Sequence, residues 1–328
     1  MPTVYVTRRI PDEGLKLLEA GGHRVAVSPH DRVLTKEELV AAIREHRPEA
    51  LLCQLTDRID GDVLDAGKPN LKIVANYAVG TDNIDLAAAN ARGVIVANTP
   101  GVLTDAVAEH TVALMFALAR HITAADQYAK SGRYTGWDPF LFLGMELKGK
   151  TLGIVGLGRI GFGVAERCVR GMGMRVLYHD PKTNPDFERE LGGQFRSLDD
   201  LLRESDIISI HVPLLPSTHH LINAERLGRM KPTALLINTS RGPIVDEAAL
   251  LDALERKTIA GAALDVFECE PSITCRPDDH LRLKAMPNVI LTPHIASATV
   301  EARQAMSRLA AENILAVLEG REPLNIVR

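Results

Sequence analysis

Thr151-Leu152-Gly153-Ile154-Val155-Gly156-Leu157-Gly158-Arg159-Ile160-Gly161 is the stretch that decides the fold. Its first five residues form an apolar run of strand length, and Phe162 to Gly171 continues as a helix. A G-x-G-x-x-G turn stands between them. A second strand-like run, Met174 to His179, ends on Asp180, 19 residues beyond Gly161. The turn alone is a weak signal. Strand, glycine turn, helix, strand and terminal acid in that order form the dinucleotide-binding fingerprint. The glycines let the backbone approach a pyrophosphate, the helix N-terminus offers it unpaired N–H groups, and the acid accepts from the adenosine ribose.

Four more strand-like runs follow, at 206–210, 234–238, 261–265 and 289–292, which predicts six strands in one doubly wound sheet. Upstream, short apolar runs at 4–6, 24–27, 50–53, 72–75 and 94–96 alternate with helical patterns. One of those helices starts at Thr35, where Glu38 completes the capping-box spacing. Alternation of this kind predicts an α/β fold with a second parallel sheet covered by helices. No glycine turn follows these first strands, so the first unit is not expected to bind the dinucleotide. A single helix is predicted from Thr104 to about Lys130. It is apolar on several faces and long enough to be shared between domains or subunits. The last helix, about Thr299 to Leu318, has no strand after it and is expected to return to the first unit.

Composition narrows the function. The 328 residues suffice for two domains, and 46% apolar with 24% charged residues fits a globular protein. A formal net charge of −4 gives no electrostatic case for nucleic acid or an anionic membrane. The longest apolar run, Val112 to Ala119, is too short to span a bilayer. The N-terminal residues read as a strand and not as a signal peptide, so a cytoplasmic location is expected. Cys53, Cys168, Cys269 and Cys275 show no C-x-x-C spacing and are read as free thiols in a reducing compartment.

Ligands of a doubly wound sheet sit beyond the carboxyl ends of its strands. Arg241, Glu270 and His294 all fall there, after the runs at 234–238, 261–265 and 289–292. Taken singly, each has an ordinary reading: a surface Arg, a loop Glu before Pro, a satisfied polar His. Together, above a dinucleotide fingerprint, their chemistry is complementary. A hydride arriving on a ketone carbon leaves negative charge on oxygen, and a protonated His donates to that oxygen. A carboxylate bonded to the other imidazole nitrogen orients the ring. An Arg fork binds a substrate carboxylate and polarises the carbonyl. This set fits a 2-oxo acid and needs no metal.

Along nearly its whole length the chain resembles the D-isomer-specific 2-hydroxyacid dehydrogenases. The matching segments are Val155 to Gly161, Asn238-Thr239-Ser240-Arg241-Gly242, Gly261 to Glu268 and Thr292-Pro293-His294. The resemblance implies a Rossmann cofactor domain at 100–294 and a flavodoxin-like substrate domain at 1–99 and 295–328. It implies that Arg241, Glu270 and His294 are the catalytic trio. Val79 and Gly80, with Leu55 and Arg241, would bind substrate. The NAD site would be lined by Thr104, Gly156, Gly158, Arg159, Ile160, Gly161, Asp180, Val212, Pro213, Thr218, Thr239, Asp265 and His294. A homodimer built on the cofactor domain is also implied.

Within the family the chain is most similar to glyoxylate/hydroxypyruvate reductases, on Leu55-Thr56-Asp57-Arg58-Ile59-Asp60 and on Trp137 to Gly144. Two departures stand out. NADPH-using members of that group often carry Arg-type residues after the second strand. Here His179-Asp180-Pro181-Lys182 stands, which predicts a preference for NADH, with NADP possible as the alternative. The segment from Cys269 to Pro277 is also longer and holds two cysteines, and no function is read from it. Alternatives of the same fold are a phosphite dehydrogenase, which would carry Lys at Val79, and a formate dehydrogenase, which would carry Gln at Glu270. A non-catalytic NAD-sensing corepressor is the alternative from another class.

Overall fold

Hydrophobic runs of three to five residues become parallel strands, most of them buried on both faces because helices cover both sides of each sheet. The computed structural model describes residues 1–270 and 281–327. The chain divides into two units: Met1–Leu103 with the segment from Ala298 onward, and Thr104–Glu270 with the described residues up to Ser297.

The first unit runs β1 (Thr3–Val6), α1 (Asp12–Ala20), β2 (Arg24–Val27), α2 (Lys36–His46), β3 (Ala50–Gln54), α3 (Gly61–Ala66), β4 (Ile73–Tyr77), α4 (Leu86–Ala91) and β5 (Ile95–Ala97). The sheet order is β2-β1-β3-β4-β5, the flavodoxin-like order, with its switch point between β1 and β3. α2 opens on the expected capping box, in which Thr35 accepts from the Glu38 N–H and Glu38 accepts from the Thr35 N–H. The C-terminal helix of the chain packs on α1 and β4 of this unit. Ser307 on that helix donates to Pro11 O and accepts from the Gly14 N–H. A Cβ at Gly14 would lie 2.1 Å from Ser307 O, so the two helices touch backbone to backbone.

The second unit runs α5 (Thr104–Ala119), α6 (Ile122–Lys130), β6 (Thr151–Val155), α7 (Arg159–Met172), β7 (Arg175–His179), α8 (Pro185–Leu191), β8 (Gln194–Phe195), α9 (Leu198–Glu204), β9 (Ile207–Ile210), α10 (Ala224–Leu227), β10 (Leu235–Asn238), α11 (Glu247–Glu255), β11 (Gly261–Leu264), α12 (Leu281–Lys284) and β12 (Val289–Leu291). α13 (Val300–Leu318) then belongs to the first unit.

The sheet order β12-β11-β10-β9-β6-β7-β8 places the switch point between β6 and β9. The sheet has seven strands where six were expected. The extra one, β8, is two exposed residues paired to Leu177 and Tyr178, with no apolar run to announce it. The predicted single helix 104–130 is two helices. The Ala119 carbonyl accepts from the Met145 N–H, and His121 turns left-handed at φ 53, which separates α5 from α6. α5 packs on α7 and on β10 to β12. No helix among the described residues is long and apolar enough to cross a membrane.

Candidate active site

The glycine turn joins β6 to α7 in the second unit. A Cβ on Gly156, at φ +95, would lie 2.8 Å from the His211 carbonyl carbon and the Val212 nitrogen. One on Gly161 would lie 2.3 Å from Gly156 O. Packing alone therefore requires both. Gly158 differs: a Cβ there would meet nothing within 4 Å, and it caps α7 without any side-chain hydrogen bond. The first N–H groups of this 14-residue helix, which begins at Arg159, have no intrahelical acceptor and take no bond from a side chain at 158. Asp180, at the end of β7, accepts from the Leu157 N–H at 2.9 Å and so sits beside the turn.

The neighbouring strand ends add the other expected cofactor residues. After β9, Val212 O accepts from Ser240 Oγ, and Thr218 Oγ1 closes the turn by donating to Pro213 O at 2.6 Å. Thr239, after β10, is bonded to Thr111 of α5 through the two hydroxyls at 2.9 Å. Thr104 begins α5, and its methyl lies against Gly163 of α7. His211 follows β9 beside Ser209, 2.8 Å from its hydroxyl, and burial pushes its imidazole down to about 3.

Asp265, at the end of β11, is fully buried. Its Oδ1 accepts from Thr292 Oγ1 at 2.5 Å and from the Ile295 N–H at 2.9 Å, and its Oδ2 accepts from the Ala296 N–H at 2.8 Å. His110 Nε2 of α5 lies 3.5 Å from Oδ1. Burial by itself works to raise this carboxyl, but the bonds from His110, Thr292 and the two backbone N–H groups outweigh it and hold the group below the ordinary carboxylate range. The Asp265 backbone carbonyl also accepts from the His294 N–H at 2.8 Å. One residue thus shapes the whole 292–296 turn, in which His294 adopts a left-handed φ of 54.

That turn presents the His294 ring to Glu270, with Nδ1 and Oε2 2.7 Å apart. Arg241 lies on the adjoining turn, where Asn238 Nδ2 donates to Arg241 O and Arg241 Nη1 donates to Ser240 O, both at 2.9 Å. A Cβ on Gly242 would lie 1.8 Å from Phe267 O, so the Arg241 turn packs directly on the segment leading to Glu270. In the first unit, Val79 and Gly80 follow β4 and Leu55 follows β3.

Cys269 is disulfide-bonded, not a free thiol as expected, while Cys53 and Cys168 are free and buried. Lack of a C-x-x-C spacing gives no information about pairing across a longer loop. Cys275 lies outside the described residues.

Sequence reasoning missed His110 and a second His–carboxylate pair. His220 Nε2 and Glu268 Oε1 are 2.6 Å apart, and the Glu247 N–H donates to Glu268 Oε2 at 3.1 Å. With the 3.2 Å contact between His110 Nε2 and Thr292 Oγ1, these contacts join residues 21 to 182 positions apart, and no local spacing announces them.

Residues 112–296 match the family described as D-isomer specific 2-hydroxyacid dehydrogenase, NAD binding domain. The chain is 51% identical over 328 residues to a glyoxylate reductase of Thermofilum pendens, covering 99% of this chain and 94% of that one. A crystal structure of a Thermus thermophilus protein superposes with a TM-score of 0.90 at 44% identity, over 99% of this chain and 100% of that one. An NADPH-dependent glyoxylate/hydroxypyruvate reductase from Sinorhizobium meliloti, crystallised with NADP and malonate, gives a TM-score of 0.83 at 34% identity, over 99% and 96%.

The Asp265 bonds generate a stability prediction. Asp265→Asn places amide donors against N–H groups that already donate, at a cost of about 2–4 kcal/mol at neutral pH. The folded carboxyl lies below its unfolded value, so its contribution is complete above about pH 4 and is lost as pH falls through the folded value. Chemical denaturation should therefore show the gap between wild type and Asp265→Asn narrowing below about pH 4. A gap that stays constant there means that Asp265 is not held as a stabilised carboxylate.

Proposed function

We propose, because this chain belongs to the D-isomer-specific 2-hydroxyacid dehydrogenase family, that it reduces a small 2-oxo acid to the 2-hydroxy acid, glyoxylate to glycolate or hydroxypyruvate to the D-2-hydroxy acid. The observation that carries this reading is the 2.7 Å bond between His294 Nδ1 and Glu270 Oε2, on turns that meet at the carboxyl edge of the dinucleotide sheet. The reduced nicotinamide, when bound, supplies the hydride to the carbonyl carbon. His294 delivers the proton to the carbonyl oxygen from Nε2, the nitrogen that Glu270 leaves unoccupied. Glu270 fixes the ring through Nδ1. The guanidinium of Arg241 binds the substrate carboxylate and draws charge from the carbonyl. Val79 and Gly80 offer backbone N–H groups to that carboxylate, and Leu55 contacts the substrate.

The cofactor is a nicotinamide dinucleotide. Gly156, Gly158, Arg159, Ile160 and Gly161 would hold its pyrophosphate, and Thr104, Val212, Pro213, Thr218, Thr239 and Asp265 would line the rest of its site. We read residues 100–294 as the dinucleotide-binding domain and residues 1–99 with 295–328 as the substrate domain. Asp180 favours NADH: its carboxylate accepts from a ribose hydroxyl and repels a 2′-phosphate.

The assembly we propose is a homodimer built on the cofactor domain. Between α6 and β6, Tyr134, Trp137, Phe140 and Leu143 are exposed, Trp137 at 83%, and a second copy of the chain would cover them. Sedimentation of the 35.7 kDa chain tests this: a dimer is expected, and Trp137→Asp with Phe140→Asp should yield monomer. A wild type that sediments as a monomer at micromolar concentration ends the proposal.

NADH absorbance should fall when glyoxylate is added. His294→Ala should lower kcat on the order of 10²–10⁴-fold. Absence of turnover in the wild type would instead favour the non-catalytic sensor of the same fold. For the cofactor, kcat/KM should be higher with NADH than with NADPH, and Asp180→Ala should narrow the ratio. Equal or better use of NADPH by the wild type contradicts the role given to Asp180.

A further inference from the structure

We propose that Asn98 and Asn76 are positioning residues for substrate binding: Asn98 holds the carbonyl of Val79 and so keeps the Gly80 N–H turned toward an anionic substrate group, while Asn76 holds the carbonyl of Gly80 and so fixes the far side of the same turn. The proposal rests on the reading that the Val79 and Gly80 N–H groups bind the substrate carboxylate.

A trans peptide is planar, and its C=O and N–H point in opposite directions. Fixing a carbonyl therefore aims the N–H of the next residue. Ala78 O, in the plane of the Val79 N–H, accepts from the Thr99 N–H at 2.9 Å and from Thr99 Oγ1 at 3.1 Å. Val79 O, in the plane of the Gly80 N–H, accepts from Asn98 Nδ2 at 2.7 Å. Gly80 O accepts from Asn76 Nδ2 at 2.8 Å, which fixes the far side of the turn. All three carbonyls are thus tied back to the protein. The two N–H groups between them meet no acceptor among the described residues. Two adjacent aimed N–H groups form a receptor for a carboxylate oxygen.

Asn76 is itself held by a buried network at the carboxyl ends of β1, β3 and β4, around the switch point of this sheet. Its Nδ2 also donates to Asn83 Oδ1 at 3.0 Å, and its Oδ1 accepts from Cys53 Sγ at 3.4 Å. Asn83 Nδ2 donates to Gln54 O at 3.1 Å and to Asp57 O at 3.0 Å, which ties the 78–83 turn to the turn that carries Leu55. Asp57 closes that second turn. Its Oδ2 accepts both from Thr7 Oγ1 at 2.5 Å and from the Gln54 N–H at 2.8 Å. Asn76, Asn83 and Asp57 are 0%, 2% and 5% exposed, so none of these bonds is readily replaced by water. These side chains pair backbone groups of the two turns and so give the turn above them a fixed orientation.

The test is steady-state kinetics of the full chain with glyoxylate and NADH. Asn98 is only partly buried, so Asn98→Ala and Asn98→Asp should fold. Asn98→Ala should raise the KM for glyoxylate on the order of tenfold, while kcat and the KM for NADH change by less than about twofold. Asn98→Asp should raise it further, because a carboxylate repels both Val79 O and the anionic substrate. Asn76→Ala should act in the same direction. Asp57→Asn, which keeps an oxygen for both donors, should recover most of the KM lost in Asp57→Ala.

A glyoxylate KM within about twofold of wild type in both Asn98 variants overturns the proposal. So does an equal rise in the KM for NADH, which would mean general loosening. Val79→Pro, which removes one N–H, tests the underlying reading separately. If its KM for glyoxylate is unchanged, the carboxylate is not bound at this turn and both ideas fail. A raised KM in Val79→Pro with unchanged Asn98 variants removes only the positioning role.

Discussion

The arrangement of the second unit depends on one buried carboxylate. Asp265 is closed off from water, and a carboxylate in that position is tolerated only when its oxygens are filled with donors. The donors come from α5, from Thr292 and from the backbone of Ile295 and Ala296. Satisfying this charge forces the chain after β12 into a tight turn. The left-handed conformation of His294 is a consequence, costing about 1–2 kcal/mol in isolation and offset by the bonds on either side. The ring that faces Glu270 is thus aimed by a charge five positions before Glu270 and 29 positions before His294.

The first unit applies the same constraint with amides, a hydroxyl and a second buried carboxyl group. Parallel strands end on backbone groups that no neighbouring strand pairs, and the turns that follow must be satisfied by side chains. At the switch point these are Thr7, Asp57, Asn76 and Asn83. In both sheets buried polar side chains stand at the carboxyl edge, Thr7, Asp57, Asn76 and Asn83 in the first and Asn238, Thr239 and Asp265 in the second. A buried polar network specifies one geometry more narrowly than an apolar core of equal size, because each member must find its partner at hydrogen-bond distance. A binding edge benefits from that narrowness more than the sheet interior does.

Legibility followed the range of the interaction. Strands of the two sheets announced themselves as apolar runs, and the capping box at Thr35 and Glu38 is a three-residue rule. The Arg241, Glu270 and His294 turns were legible because each directly follows a strand. β8 escaped notice because two residues, Gln194 and Phe195, carry no pattern. The break at His121 escaped because Ala119 gives its carbonyl to Met145, a partner no helix rule foresees, and a non-glycine residue is seldom left-handed. Asn98 and Val79 are 19 positions apart, and His110 and Thr292 are 182 apart. Such pairs exist only once the sheets have formed, and nothing local in the chain marks them.

The glycines show where fold and function part. Gly156 and Gly161 are required by the protein's own packing, since any Cβ would enter a neighbouring backbone. Gly242 is required in the same way by Phe267 O. Replacing these would injure the fold whatever the protein binds. Gly158 is not constrained by packing: its φ of −77 suits any residue, and space around a Cβ is open. A side chain there would cost the folded chain nothing in sterics, and a Ser or Asp would even cap α7. That cap would occupy the helix N–H groups and the space in front of them. The residue that best stabilises the helix is therefore the one that would close its N-terminus to an anion, and glycine at 158 keeps it open.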